Sequence, residues 1–169
     1  MKIDNHIIVH ASKDAVWNAL TDFENMEKNI RSVIKIEILE LPTGMSSPKE
    51  LKGAKDITGV KWSETRPTCG NGGEERTETM WVSNCVHHEY YEARSESAEC
   101  SFVCKLYMVE QKDSTGKDCY AIGMAMEGTP QTFLWKVMMF LMGWYFVKVT
   151  KKAIMEDLED IKKLAESSP

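Results

Sequence analysis

Only one segment of this sequence, from Gln131 to about Glu166, is long enough to cover a β-sheet, and most of what precedes it reads as strands with one apolar face. In Ser101 to Glu110, Phe102, Cys104, Leu106 and Met108 alternate with Ser101, Val103, Lys105 and Tyr107. In Cys119 to Glu127, Tyr120, Ile122, Met124 and Met126 alternate with Cys119, Ala121, Gly123 and Ala125. Side chains of a strand point alternately to its two faces, so each of these strands offers one face for burial. A sheet with one buried face needs a cover, and here it must be the C-terminal helix. Roughly 36 helical residues would span about 54 Å. A break at or just before Gly143 is therefore expected, since glycine costs about 1 kcal/mol in a helix interior. Val147, Ile154, Leu158 and Ile161 form the stripe that faces the sheet. Lys152, Glu156, Asp157, Glu159, Asp160 and Lys163 occupy much of the remainder.

The rest of the chain supplies the other strands. Asp4 to Val9 reads as the first, followed by Ser12 as an N-cap, Asp14 in the first turn, and Val16, Trp17 and Leu20 at helical spacing. Asp22 caps a second short helix with Phe23, Met26 and Ile30 on one side, and Ser32 to Leu41 is the second strand. Leu41 to Lys55 is a long loop, either a binding lid or a surface insertion. Ile57 to Arg66 is the third strand, with Val60, Trp62, Glu64 and Arg66 on one face. Pro67 to Gly73 is a turn, and strands four and five run from Glu75 to Val82 and from Glu89 to Glu96. The short polar connections make consecutive antiparallel hairpins. The expected architecture is α+β, one domain over 1–169: about seven antiparallel strands, two short helices after strand one, and a long C-terminal helix.

With 21 basic and 26 acidic side chains the net charge is −5. That excludes a general nucleic-acid binder and argues against strong attraction to anionic lipid, since both need a cationic field. Cys69, Cys85, Cys100, Cys104 and Cys119 are odd in number, no two stand at Cys-x-x-Cys spacing, and the first residues lack a signal-peptide core. A reducing, cytoplasmic setting is expected, with no metal and no cofactor. Cys100 and Cys104 lie on a strand and should point inward as small hydrophobes.

This order of elements resembles the SRPBCC superfamily, together with Ile7-x-Val9-x-Ala11-Ser12-x-x-x-Val16-Trp17-x-x-Leu20-x-Asp22, the strand-three run Gly59 to Arg66, and Asp157-Leu158-x-x-Ile161-Lys162. Within it the sequence is most similar to the polyketide cyclase/dehydrase and lipid-transport family, relatives of START domains and the birch-pollen allergen (Bet v 1-like) proteins. The resemblance covers nearly the whole chain. It implies a helix-grip fold, a curved sheet around the long helix with an apolar cavity between them, and it carries over no catalytic set. Gly70-Asn71-Gly72-Gly73 is similar in letters to the pollen branch's glycine-rich loop but follows strand three, so it reads as a plain hairpin.

The run Phe133 to Val149, FLWKVMMFLMGWYFVKV, is apolar on every side. Its uninterrupted part, Val137 to Val147, is shorter than the ~20 residues of a membrane span. Three readings stay open: core and pocket wall, an exposed or gated patch for transient membrane or protein contact, and a dimer interface. Met80, Met108, Met124, Met126, Met138, Met139 and Met142 fall where sheet and helix should face one another, either as an adaptable wall or as gap-fillers.

The expected ligand-lining set takes Trp62, Glu64, Tyr91 and Leu106 from the sheet, along with Met108, Ile122, Met124 and Met126. From the helix it takes Met138, Leu141, Met142 and Tyr145. Glu64, Arg66, Arg76, Glu78, Glu92 and Arg94 should mostly form solvated cross-strand pairs. Glu64, sharing a face with Trp62, is the one candidate for an inward carboxylate whose pKa burial would raise for acid/base work. His87-His88 reads as a turn, and no spacing supports a Ser-His-Asp or Cys-His set. The first functional expectation is binding or carriage of a hydrophobic small molecule such as a lipid or polyketide. The alternatives are a cyclase or dehydratase acting in the same cavity, and an interaction module using the 133–149 surface.

Overall fold

A computed structural model describes residues 2–67, 74–97 and 100–168. Its elements are β1 (Lys2–Val9), α1 (Lys13–Leu20), α2 (Met26–Asn29), β2 (Lys35–Glu40), β3 (Lys61–Pro67), β4 (Glu75–Val86), β5 (Tyr90–Glu96), β6 (Cys100–Lys112), β7 (Asp118–Pro130) and α3 (Phe133–Ser167). The seven strands form one antiparallel sheet in the order β1-β7-β6-β5-β4-β3-β2. The sheet curves around the C-terminal half of α3, which is the helix-grip arrangement. Trp17, Leu20, Leu106, Ile122, Leu158 and Ile161, the residues with the strongest sequence case for burial, are all in the core.

Local chemistry sets the boundaries. Ser12 caps α1, its hydroxyl accepting from the Ala15 amide at 3.2 Å. β3 starts at Lys61 rather than Ile57 because Gly59 takes a left-handed φ of +91° and closes a turn in which the Val60 amide donates to the Ile57 carbonyl. β6 and β7 extend beyond their apolar alternation, the ladder running from Cys100↔Pro130 to Lys112↔Asp118. Backbone pairing continues there over solvent-facing side chains that leave no hydrophobic signal. β2 is shorter than Ser32 to Leu41, and Leu39 on this edge strand and Ile34 just before it are exposed. The 41–55 segment is a stapled loop: its 3-10 turn Pro48–Leu51 buries Leu51 completely, and the Gly53 amide donates to Thr21 Oγ1 at 2.8 Å. His87 and His88 form the β4–β5 turn, His88 having φ +61°. The Gly70 to Gly73 turn and Cys69 lie outside the described residues.

The expected break in α3 is absent. The helix runs unbroken through Gly143 for 35 residues, about 52 Å. Only its C-terminal half is buried, through Ile154, Asp157, Leu158, Asp160, Ile161 and Ala165, so the sheet does not limit its length. That half is clamped at both flanks. Lys162 Nζ donates to the Ile8 carbonyl at 2.7 Å, and Arg31 donates from Nε and Nη2 to the Asp160 carboxylate at 2.9 and 2.6 Å. The Arg31 hydrogen bond holds Asp160 below the usual carboxylate range.

Candidate functional site: a cavity between sheet and helix

The C-terminal half of α3 packs on β1 and β7, but above β5 and β6 a gap separates the helix from the sheet. Small residues face one another here, Ala93 on β5 and Cys104 on β6 against Thr150 and Ala153 on α3, and they leave a cavity of about 230 Å³. Alternation along β3 turns Trp62, Glu64 and Arg66 inward, and the register sets Met80 opposite Trp62 and Glu78 opposite Glu64. A second space of about 260 Å³ shares Glu78, Met80, Ala93, Cys104, Met126 and Thr150 with the first. It continues beneath Trp135, Met139 and Phe146 of the N-terminal half of α3. The two together make one half-open, mostly apolar chamber, of the kind that buries a small molecule.

One end of the inner compartment is polar. Arg66 Nε donates to Glu64 Oε1, and Arg66 Nη1 donates both to Ser32 Oγ and, at 2.7 Å, to Asp157 Oδ2. Ser32 Oγ in turn donates to Asp157 Oδ1 at 2.5 Å, and Trp62 Nε1 donates to Glu64 Oε2 at 3.1 Å. Both oxygens of both carboxylates are therefore engaged. Two buried carboxylates share one guanidinium, so the cluster carries one excess negative charge when fully ionised. Burial, reinforced by the Glu64 charge, raises the pKa of Asp157 above the ordinary carboxylate value even though Arg66 pulls the other way.

Other reactive groups on the wall are subdued. Burial raises the Tyr91 phenol, whose hydroxyl donates to the Leu20 carbonyl at 3.3 Å, and pushes the Cys104 thiol up to about 12. Both are neutral near pH 7, and no nucleophile stands activated among the described wall residues. No group of three or more His, Cys, Asp or Glu among the described residues is arranged to hold a metal.

Of the residues expected to line the cavity, Trp62, Glu64, Tyr91, Leu106, Met124 and Met126 do so. Met108 and Ile122 are buried but line neither compartment, because the same inward face of β6 and β7 continues past the end of the cavity. Met138, Leu141, Met142 and Tyr145 are absent from both compartments, and the last three are exposed. The inward stripe of this helix half is Trp135, Met139, Phe146 and Thr150. A segment apolar all round has no hydrophobic period from which to choose a face.

Glu64 is inward and buried as expected, but it belongs to an ion-pair network and is neither a lone carboxylate nor a solvated cross-strand partner. Asp157, assigned to the solvent face of the helix, is buried for the same reason. Its position carries a usable signal: it follows Ile154 by three and precedes Ile161 by four, inside the apolar stripe.

No protein-family model and no curated protein matches the sequence. Solved structures do match in fold. TTHA0849 from Thermus thermophilus superposes with a TM-score of 0.71 at 8% identity, covering 99% of this chain and 100% of that one. The Zhui aromatase/cyclase from Streptomyces sp. R1128 gives 0.65 at 14% identity over 98% and 93%. A START superfamily protein from Mycobacterium smegmatis gives 0.61 at 12% over 98% and 94%. The shared feature is the helix-grip fold over nearly the whole chain.

Proposed function

We propose that this chain, with the helix-grip fold of those START and aromatase/cyclase structures as its premise, binds and carries a hydrophobic small molecule that has one hydrogen-bonding end. The observation that supports this most is the two-compartment chamber, apolar along its length and closed at one end by the Glu64–Arg66–Asp157–Ser32 cluster. An apolar body of lipid or polyketide type would lie along Met80, Cys104 and Met126, with its polar group at the cluster. Engaged carboxylates, a neutral phenol and a neutral thiol favour holding over bond-breaking. The four described cysteines are free, which supports a reducing, cytoplasmic setting.

A cyclase or dehydratase reading is the second. It rests on Asp157, whose raised pKa beside the chamber suits a proton donor to a carbonyl or hydroxyl of a bound substrate. In that case Asp157→Asn would abolish turnover and leave binding in place.

Native mass spectrometry of protein purified from its own host tests the carrier reading, the expected result being a retained apolar ligand. In titrations, an environment-sensitive apolar dye should bind at one site and be displaced by long-chain lipids or polycyclic compounds. Met124→Trp should weaken dye binding at least about tenfold while the chamber absorbs the added ring with little loss of stability. Undiminished dye binding in that variant would place the dye elsewhere and remove the assignment.

A further inference from the structure

The N-terminal half of α3 has two apolar sides with different surroundings. Trp135, Met139 and Phe146 roof the outer compartment. On the opposite side Phe133, Leu134, Phe140, Leu141 and Trp144 stand in solvent, Phe140 88% and Trp144 73% exposed. Contiguous apolar surface of this kind marks an interaction site. From Gly128 to Met155 the chain has four lysines, Lys136, Lys148, Lys151 and Lys152, and no acidic residue. All four are exposed. The rest of the chain holds 17 basic and 26 acidic side chains, a charge of −9. The global charge of −5, which suggests indifference to anionic lipid, thus conceals a local basic patch around the ridge: Lys152 pairs with Glu156 at 3.8 Å, and Lys136, Lys148 and Lys151 leave an excess of three positive charges.

The geometry points to this helix half as a docking lip for an anionic membrane: the outer ridge lies in the bilayer interface while the inner stripe roofs the chamber. Ligand then passes between bilayer and cavity along the helix, a step that rests on the carrier reading, whereas docking itself rests on the ridge and its lysines. Charge selects this occupant. A two-fold contact through this face would bring two copies of the same basic patch together without supplying any acidic partner for it. Acidic headgroups complement it, with aromatic rings at headgroup depth and lysine stems lying on the apolar surface.

By length and composition α3 contains a stretch apolar enough to cross a membrane, none of it buried, and so more extensive than the run Val137 to Val147 implies. Lys136 and Lys148 stand about 18 Å apart along the axis, short of the ~30 Å hydrocarbon core. Spanning would also withdraw Trp135, Met139 and Phe146 from the chamber they roof. The helix therefore lies along the surface.

Flotation of the full chain with phosphatidylcholine vesicles, and with mixed phosphatidylcholine and phosphatidylserine vesicles at low and high salt, tests this. Wild type should float with the mixed vesicles and release as salt rises. Phe140→Asp with Trp144→Asp should lose at least about tenfold in binding, and Lys148→Gln, Lys151→Gln, Lys152→Gln about tenfold on mixed vesicles only, with the salt dependence gone. All these side chains are exposed, so circular dichroism should be unchanged, and Phe140→Ala with Trp144→Ala replaces the charged pair if it is not.

Absence of wild-type flotation, or equal flotation of wild type and ridge variant, overturns the proposal. So does resistance of vesicle-bound protein to alkaline carbonate, which means spanning. Self-association abolished by the ridge variant without vesicle binding assigns the face to a second copy and overturns it equally. Dye binding that persists in the ridge variant separates failure of docking from failure of the carrier reading.

Discussion

Replacing Leu158 by Asp should remove about 5 kcal/mol of stability, comparable with the whole margin of an ordinary domain, and leave a largely unfolded chain. Leu158 is completely buried at the centre of the α3 stripe and belongs to neither cavity compartment. A carboxylate there would be fully desolvated. Ile161, one turn on, is nearly as buried but lines the inner compartment. Ile161→Asp should therefore cost clearly less, because its carboxylate can turn into the chamber and be hydrated. Urea unfolding of the two variants measures the difference. Equal losses would mean that the chamber holds no solvent-accessible space beside Ile161.

The second large effect is expected at Arg66. Arg66→Met leaves Glu64 and Asp157 buried without their shared cation, which should cost about 3 kcal/mol at neutral pH; the arginine side chain is a third exposed, so the lower end of the range for a broken buried pair applies. The loss should depend on pH in a definite direction. Asp157 has a folded-state pKa above its ordinary value, so the folded state binds its proton more tightly than the unfolded chain does. Its contribution to stability is fully present below the ordinary carboxylate value and is lost as pH rises through the raised one. Removing Arg66 raises that value further, so the variant should be much closer to wild type at pH 5 than at pH 8. Adding Asp157→Asn should restore at least half of the loss, since a single buried carboxylate remains. Urea midpoints at the two pH values decide the matter. A pH-independent loss would show that Arg66 acts by packing its stem rather than by compensating charge.

Glu64 and Asp157 also illustrate how far the site was legible. Strand alternation put Glu64 on the inward face with Trp62, because a period of two depends only on local backbone geometry. It could not say that Arg66, one step along the same face, would bend back to Glu64 and also reach Asp157, 91 residues away. Asp157 was assigned by its charge to the water side of a helix whose stripe geometry places it in the wall. The apolar half of the same helix was ambiguous for the opposite reason. Where every residue is apolar, no contrast marks a face, and Met139 and Phe146 could not be told from Met138 and Tyr145.

The sequence by itself determined the succession of strands along the chain and their consecutive hairpins, the inward faces of β3, β6 and β7, the capped start of α1 at Ser12, and the C-terminal helix as the cover. Each of these follows from interactions within a few residues: side-chain alternation, helical spacing and capping. The tertiary structure alone decided that α3 continues through Gly143, that small residues on both sides leave a chamber, that one arginine serves two distant carboxylates, and that the aromatic ridge meets solvent. Those outcomes depend on which surfaces meet across the sheet–helix gap, and whether a gap is filled is set by the volumes of residues far apart in the chain.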